Sequence, residues 1–449
     1  MKYTEFKELV IKKAKEAQLS EYELYYMESE DISAEASMHE LTKFSTEDNR
    51  GACFRCIYQG KMGYASTELF TREEAQRLVL DAMENAAVIE SEDKVFIYHG
   101  AYNYEKIEEK ETTVPQAKDL VNLCLTLEKG FFEQDERVLE GSMAGVGYGK
   151  VKVALCNSKG LDLSHSYNYS QLAAVVSVKE GEEVYNGYKI VTEDFNNFNV
   201  DLLAQETVDK VVKTIGADTV ESGTYDLIFS SEMMATMLST FFTAFSADAA
   251  RRGLSLLKGK EGEQVASAKV TIVDDPFYSE SFIKMPFDGE GVATYRKKVI
   301  EEGKLITLLH NLTTAYEAGV ASTGNGRKLN YSSGVNVLPY NFLLAAGEAG
   351  EKEEVFKAVG KGIYITALNG LHAGANPATG DFSLSAEGFL VEEGKQKRPV
   401  KNFTVSGNFY ELLQKITLVG SDVKLNNPEG GVCFGAPTTV VKEISVAGK

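Results

Sequence analysis

The feature that most constrains the fold of this chain is a change in its hydrophobic pattern near residue 265 of 449. From there onward the sequence is rich in Gly, Asn, Thr and Val and consists of short alternating runs, such as KVTIVDD and TTVVKEISV. Turn residues separate these runs at close spacing, a pattern that is typical of β-barrels and β-sandwiches. The sequence therefore predicts a mostly β domain in the C-terminal half.

The N-terminal half is organised differently, as two cycles of helix, antiparallel hairpin and helix. In four segments apolar residues recur at three- and four-residue spacing, which predicts helices. In the stretches between these segments apolar and polar residues alternate, which predicts strands. Three of the predicted helices cover residues 4–18, 116–128 and about 201–215. The fourth begins after Thr71, which forms a capping box with Glu74. The cycles, about 1–90 and 112–217, would form two similar subdomains, although no sequence identity proves a duplication. An acidic loop or linker is expected at 88–112.

Together these patterns predict an α+β protein of two parts. Residues 1–220 form an α/β region with antiparallel hairpins and flanking helices, and residues 221–449 form the mostly β domain. At their junction, YDLIFS at 225–230 predicts a buried strand. A strongly apolar helix follows at 231–249, and the spacing of its apolar residues favours a place in a core.

The charge balance narrows the classes of partner. The chain has 47 basic and 66 acidic side chains, a net charge of −19 and a pI near 4.9. Because phosphates are bound by basic surfaces, we expect no direct contact with nucleic acid. No apolar run approaches the roughly 20 residues that cross a bilayer, and the N-terminus lacks a signal-peptide core. We therefore expect a cytoplasmic protein that does not enter a membrane.

The cysteines predict reduced thiols rather than a metal or redox site. Their odd number and wide spacing are typical of a cytosolic protein. Cys53 and Cys56 form a CxxC pair, but GACFRCIY is a predicted strand, on which residues three apart point to opposite faces. No second CxxC completes a four-ligand site, so both are interpreted as packing residues.

Five blocks in the C-terminal half are distinctive. They are ADAARRGLSLLKGKEGEQVAS at 247–267, VDDP at 273–276 with FDGEGVATYRKKVIEEGKL at 287–305, STGNGR at 322–327, ALNGLHAGANPATGDFSLSAEGFLVEEGK at 367–395 and LVGSDVK at 418–424. In their order and spacing the chain resembles the TldD/PmbA family, the modulators of DNA gyrase. The N-terminal half matches that family by pattern more than by motif.

The resemblance also shows what this chain lacks. In the active branch of the family a helix carries HExxxH; its two histidines hold zinc with a distant cysteine, and its glutamate can act as general base. Aligned on residues 251–253, Leu238 and Thr243 stand at the histidine positions, Ser239 at the glutamate and Asp422 near the cysteine. Leucine cannot bind zinc and a lone aspartate holds it weakly. The chain thus resembles the PmbA/TldE branch, with no catalytic or metal-binding residue of its own.

The fourth block concentrates glycines and small polar residues. Glycine permits positive φ, and Asn, Thr and Asp bond their own backbone or that of a ligand. Two interpretations stay open: a self-contained loop, or a groove that accepts an extended peptide by strand addition. The resemblance favours the groove, because the active branch places this segment near its catalytic cleft. The groove candidates are Asn369, Gly370, His372, Gly374, Asn376, Thr379, Gly380 and Asp381.

Three other polar features have simpler interpretations. His372 is either a hydrogen-bonded structural histidine or a polar contact of the groove. STGNGR lacks the order of a phosphate loop, so it is interpreted as a turn, with Arg327 in a structural ion pair. The acidic residues of the second block are interpreted as solvated loop positions rather than as paired catalytic carboxylates. They are Asp274, Asp275, Asp288 and Glu290.

The favoured function is that of a non-catalytic subunit of a cytosolic zinc metallopeptidase complex, inactive alone, that degrades or processes small unfolded peptides. The resemblance implies a heterodimer with a zinc-bearing TldD-type homologue, or a homodimer in isolation, with zinc held by the partner subunit. One alternative is a self-sufficient metallopeptidase with an atypical site, which no plausible ligand set supports. The other is a regulatory binding protein, such as a gyrase modulator. The negative net charge disfavours contact with DNA but not contact with another protein.

Overall fold

A computed structural model of the chain describes residues 1–100, 103–107, 113–428 and 430–449. The fold is α+β, as the sequence predicted. The helices are α1 (Tyr3–Glu16), α2 (Arg72–Val88), α3 (Ala117–Gln134), α4 (Val200–Val212), α5 (Ser231–Phe241), α6 (Ala247–Arg251), α7 (Leu312–Ala318), α8 (Lys352–Val359), α9 (Leu371–Gly374) and α10 (Phe409–Gln414), with 3₁₀ turns at Phe195–Asn197 and Phe242–Phe245.

The strands fall into an N-terminal and a C-terminal set. The first set is β1 (Tyr22–Ser37), β2 (Glu40–Tyr58), β3 (Lys61–Thr67), β4 (Met143–Asn157), β5 (Asp162–Glu180) and β6 (Glu183–Glu193). The second is β7 (Gly223–Phe229), β8 (Ile272–Asp274), β9 (Lys297–Glu301), β10 (Lys304–Leu305), β11 (Gly326–Arg327), β12 (Asn336–Val337), β13 (Asn341–Leu344), β14 (Gly362–Asn369), β15 (Asp381–Glu392), β16 (Lys395–Asn408), β17 (Ile416–Val419), β18 (Lys424–Leu425), β19 (Cys433–Ala436) and β20 (Thr439–Ala447).

The N-terminal strands form one antiparallel sheet in the order β3-β2-β1-β4-β5-β6. Helices α1 and α2 cover one end of its first face, and α3 and α4 cover the other end. Alternation along β1 explains the two faces, because Leu24 and Tyr26 pack under the helices while Tyr25 points to the opposite side. That opposite side packs against Met285, Phe287 and other C-terminal residues.

The N-terminal elements confirm the predicted helices and hairpins, with one difference at α2. Thr71 caps this helix by accepting a hydrogen bond from the Glu74 backbone at 3.1 Å. The Glu74 carboxylate does not complete the predicted box, because it accepts from the Thr67 hydroxyl at 3.1 Å. In the predicted linker, residues 89–100 and 103–107 contain neither helix nor strand; its remaining residues, 101–102 and 108–112, lie outside the described residues.

The C-terminal strands form two larger sheets and the small pair β11-β12. One sheet has the order β16-β15-β14-β7-β20-β17, and an added pairing of β16 with β20 closes it into a barrel. The other has the order β10-β9-β8-β13-β19-β18. Helix α5 contacts strands of both sheets, and its Met234, Leu238 and Phe241 are fully buried there. The apolar helix predicted at 231–249 is therefore a core element, although a 3₁₀ turn interrupts it after Phe241.

Among the residues that the structure describes, no helix combines the length and apolar character needed to cross a bilayer.

Candidate functional site

The positions that would carry a zinc motif lie on α5 and in the turn after it, and each has another role. Leu238 is fully buried in the main hydrophobic core. Ser239 is half-buried, and its hydroxyl donates to the Thr236 carbonyl of the same helix at 2.9 Å. Thr243 is half-buried in the 3₁₀ turn that follows α5. A metal bound at these three positions would have no nitrogen or sulfur ligand.

Asp422 is committed to the backbone turn that precedes β20. Its Oδ1 accepts a hydrogen bond from the Thr438 backbone at 2.9 Å, and its Oδ2 accepts from the Thr438 hydroxyl at 2.6 Å. Both carboxylate oxygens therefore stabilise a local turn. Across the described part of the chain, no group of three His, Cys, Asp or Glu side chains is placed to hold a metal ion. The residues present do not fit a zinc site.

An open cleft of about 380 Å³ lies next to the degenerate motif, and we call it the motif cleft. It brings together Thr243 from the zinc-motif positions and Asn376 from the glycine-rich block, which are far apart in sequence. Its lining is Phe242, Thr243, Ser246, Asp248, Ala249, Arg252, Leu254, Asn336, Val337, Leu338, Asn376, Pro377 and Ala378. The only charged pair in that lining, Asp248 with Arg252, is joined at 3.0 Å.

The loop that carries Asn376 holds its own shape. The Asn376 side chain accepts hydrogen bonds from the backbones of Ala378 at 3.1 Å and Thr379 at 3.4 Å. Its backbone N–H donates to the Asp381 carbonyl, and its carbonyl accepts from Gly380, both at 2.8 Å. Gly380 has a φ of +84°, and a Cβ there would lie 2.6 Å from the Tyr410 ring, so glycine is required.

The base of the loop is tied to β16. Asn408 donates to the Thr379 carbonyl and to an Asp381 carboxylate oxygen, both at 2.9 Å. Hydrogen bonds from Asn408 and then Thr379 lower the pKa of Asp381, so this exposed carboxylate stays ionised. Asp381 and Thr379 therefore stabilise the base of the loop and do not line the cleft.

The other groove candidates lie at the end of β14 and in the short helix α9. Asn369 is the exposed last residue of β14, and Gly370 follows it with a φ of +81°. A side chain at Gly374 would collide with the Ser383 carbonyl, which explains glycine there by packing. His372 is exposed, and its ring has no hydrogen-bond partner among the described residues. Of the eight candidates, only Asn376 lines the motif cleft.

The acidic residues of the second block are not solvated, and that interpretation is corrected by the structure. Asp274 is fully buried, pairs with Lys297 at 3.0 Å and also accepts from the Asn325 side chain and the Tyr340 backbone. Only its neighbour Asp275 reaches solvent, with a side chain 13% exposed and paired with Arg296. One sequence signal existed, because Asp274 lies two residues after the core residue Ile272 on a strand and therefore shares its face.

Asp288 and Glu290 are buried as a pair. Asp288 accepts hydrogen bonds from three backbone N–H groups, those of Glu290, Val292 and Gly326. Glu290 accepts from the Leu312 backbone at 2.8 Å and faces Arg55 at 3.6 Å, which in turn pairs with Glu23 at 2.7 Å. Burial raises the pKa of both carboxyl groups; Glu290 adds to the rise at Asp288, and Arg55 opposes it at Glu290.

Arg327 makes no ion pair with the described residues, contrary to the sequence-based interpretation. Its guanidinium donates to the carbonyls of Pro339 at 2.6 Å and Gly431 at 2.9 Å, and it lies 4.5 Å from the centre of the Tyr340 ring. The positive charge is therefore held by neutral oxygens and an aromatic face. This arrangement joins three segments that are distant in sequence, so periodicity could not reveal it.

The CxxC cysteines lie on β2, as predicted, and both are buried. Cys56 packs in the cluster beneath α1 and α2, whereas Cys53 interacts electrostatically with Lys328 on the other side of the sheet. Burial raises the pKa of Cys56 to about 12 and also raises that of Cys53, so both remain thiols at neutral pH.

Comparison with known proteins identifies the class to which this fold and cleft belong. Models of the PmbA/TldA metallopeptidase match in three consecutive parts: domain 1 at residues 22–86, the central domain at 110–215 and the C-terminal domain at 222–448. The last model alone covers more than half of the chain. The protein belongs to the TldD/PmbA metallopeptidase family.

Individual relatives agree along nearly the whole chain. A Thermotoga maritima structure described as a putative modulator of a DNA gyrase has a TM-score of 0.89 and 29% identity, covering 99% of this chain and 100% of that one. The structure of TldE from Thermococcus kodakarensis, at 24% identity, shows the same fold with a TM-score of 0.89, covering 98% and 99%. A metalloprotease PmbA homologue of Haemophilus influenzae is 25% identical, covering 84% of this chain and 82% of its own length.

Proposed function

We propose that this chain is the non-catalytic subunit of a zinc metallopeptidase complex that degrades or processes small unfolded peptides. The observation that carries the proposal is the contrast at α5. The zinc-motif positions are occupied by Leu238 in the core and by Ser239 bonded to its own helix, while the adjacent cleft stays open at about 380 Å³. A chain that only lost activity would have no need to keep this cleft.

The lining of the motif cleft suits an extended peptide. It combines apolar surface from Phe242 and Leu338 with the neutral side chains of Thr243 and Asn376. Its volume lies within the range of ordinary ligand pockets, about 300–1,000 Å³. Neutral walls without an unpaired charge favour contacts to the peptide backbone, which every sequence shares.

A strand edge near the glycine-rich loop offers such backbone contacts. β14 pairs with β7 only as far as Ile365, because β7 ends at Phe229 and the chain turns into α5. Residues 367–369 keep ladder partners on the β15 side alone. An extended peptide added at this edge would run toward the glycine-rich loop, in the manner of strand addition.

The proposal assigns zinc to a partner subunit. This chain offers no fitting ligand set, so the metal-bound water would be supplied by a zinc-bearing TldD-type relative. The role of this chain is to bind and orient the peptide and to complete the cavity. In isolation we expect a homodimer that does not cleave peptides, located in the cytoplasm and without direct contact to nucleic acid.

The test is co-expression with the zinc-bearing relative of the same cell, followed by a cleavage assay on an unfolded peptide. Each protein alone is a control. The proposal expects cleavage by the pair only, abolished by a chelator. Chelator-sensitive cleavage by this chain alone would contradict it, and recovery of gyrase without a zinc-bearing relative in a pull-down would favour a regulatory role.

A matched pair of variants tests the cleft itself. Ala378→Tyr fills the motif cleft, whereas Ala373→Tyr adds the same side chain at an exposed position outside its lining. We expect the first to reduce cleavage by the pair at least about tenfold, equivalent to 1.4 kcal/mol, and the second to leave it within about twofold. Equal activity of both variants would remove the cleft from the proposal.

A further inference from the structure

A second cavity, of about 220 Å³, lies between the open face of the N-terminal sheet and the C-terminal residues, and we call it the tyrosine cavity. It is separate from the motif cleft, with which it shares no lining residue. The N-terminal sheet contributes Tyr25, Met27, Val151, Val153, Tyr167 and Tyr169. The C-terminal side contributes Phe287, Asp288, Arg327, Lys328 and Tyr340, among others.

Two cationic side chains in this lining are buried by nine-tenths or more. Arg327 is 9% exposed and Lys328 is 8% exposed. Within the described residues neither forms an ion pair: Arg327 donates to two carbonyls, and Lys328 donates to the Ser333 carbonyl. Burial lowers the pKa of Lys328 and outweighs the opposing effects of Cys53 and Glu23. Neutral carbonyls and aromatic rings hold both charges, and an anion in the cavity would add the ion pair that they lack among the described residues.

Tyrosine hydroxyls add further donors. Tyr25 and Tyr340 are buried and Tyr167 is half-buried, and among the described residues their hydroxyls have no hydrogen-bond partner. Burial raises the pKa of Tyr167 to about 12, so this hydroxyl keeps its proton at neutral pH. Buried polar groups usually have partners, so an unpartnered set of this kind needs an explanation.

Among the described residues of the lining, Asp288 is the one carboxyl group, and it cannot supply the missing acceptor. Asp288 already accepts hydrogen bonds from three backbone N–H groups. Its pKa is raised by burial and by Glu290, which further reduces its negative charge. The described part of the cavity wall therefore offers donors and positive charge without a free carboxylate. A ligand that satisfies it must bring the acceptors and a negative charge.

The remaining walls define the rest of the ligand. Met27, Val151, Val153 and Phe287 present apolar surface, and the tyrosine rings add aromatic faces. A planar guanidinium matches the geometry of a carboxylate, and an aromatic wall suits a compact apolar group. We propose that the tyrosine cavity binds a small organic carboxylate with an aromatic or branched aliphatic body, held by Arg327, Lys328 and the tyrosine hydroxyls.

Calorimetric titration of the full chain tests this directly. The probes are 3-phenylpropionate and 4-methylpentanoate, each compared with its neutral amide, and inorganic phosphate. We expect at least one acid to bind at least about tenfold more tightly than its amide, equivalent to 1.4 kcal/mol. Equal binding of acid and amide, binding of phosphate alone, or no binding of either acid would overturn the proposal.

A variant pair locates the binding site. Lys328→Met removes the buried charge, and Lys298→Met removes an exposed charge that pairs with Glu301 on the surface. The affinity for the acid should fall at least about tenfold in Lys328→Met and stay within about twofold in Lys298→Met. Unchanged affinity in a folded Lys328→Met would overturn the site. If that variant does not fold, the comparison of acid with amide on the unmodified chain decides alone.

Discussion

The motif cleft and the tyrosine cavity differ in the charges of the residues that line them. The motif cleft is open, its lining is neutral or internally paired, and its key loop is held by its own Asn376. The tyrosine cavity is enclosed by residues from both halves of the chain and is bordered by buried charges. The family motifs point to the first region, yet the buried charged residues Asp288, Arg327 and Lys328 line the second. Sequence similarity to an active site is therefore a poor guide to where a chain places its charges.

The largest effect that would test this contrast is expected at Asp274. Asp274→Ala leaves Lys297 buried without its partner, and such a loss costs about 3–5 kcal/mol in the free energy of unfolding. Urea-induced unfolding measures it. Asp275→Ala is the matched control, since that neighbour pairs with the exposed Arg296 and should cost about 1 kcal/mol. Similar losses in both variants would remove the distinction between buried and surface charges.

The next largest effect on stability is expected when histidines are introduced at the zinc-motif positions. Leu238→His places a polar ring in a fully buried apolar site and should destabilise the protein by about 3 kcal/mol. Thr243→His, at the edge of the motif cleft, should cost less than about 1 kcal/mol. Thermal unfolding of both variants checks this. If Leu238→His were as stable as Thr243→His, the core would not be what excludes the histidine.

The carboxyl pair near the tyrosine cavity predicts a pH dependence. Because burial raises the folded-state pKa of Asp288, its contribution to stability is present below the unfolded pKa of about 4 and is lost as pH rises toward the folded pKa. Stability should therefore fall by up to about 3 kcal/mol from pH 5 to pH 7, because the linkage slope is about 1.4 kcal/mol per pH unit. Asp288→Asn should flatten that slope, whatever it does to absolute stability. A slope that is unchanged in this variant would show that other groups cause it.

The smallest effect is expected in the loop of the motif cleft. Asn376→Ala removes two hydrogen bonds to the backbone and should cost about 1 kcal/mol of stability. Thr379→Ala, which loses one long bond from Asp381, should cost less than about 0.5 kcal/mol. Peptide cleavage by the co-expressed pair should fall more in Asn376→Ala than in Thr379→Ala. The reverse order would mean that Asn376 only shapes the loop.

The sequence by itself determined the local structure of this protein. Apolar spacing predicted the helices and the core role of the α5 segment, and the family resemblance placed Leu238, Ser239 and Thr243, none of them a histidine, at the zinc-motif positions. These features depend on residues that are close in sequence, so a pattern of neighbours is sufficient to predict them.

Tertiary structure alone decided which polar residues are buried and with what partners. Asp288 and Glu290 had the composition of a solvated loop, but the fold places Arg55 from the N-terminal sheet beside Glu290. It likewise holds Arg327 on carbonyls from two separate segments and brings Lys328 to the ring of Tyr25. The physical reason is that burial and pairing depend on contacts between distant segments, which no local pattern encodes.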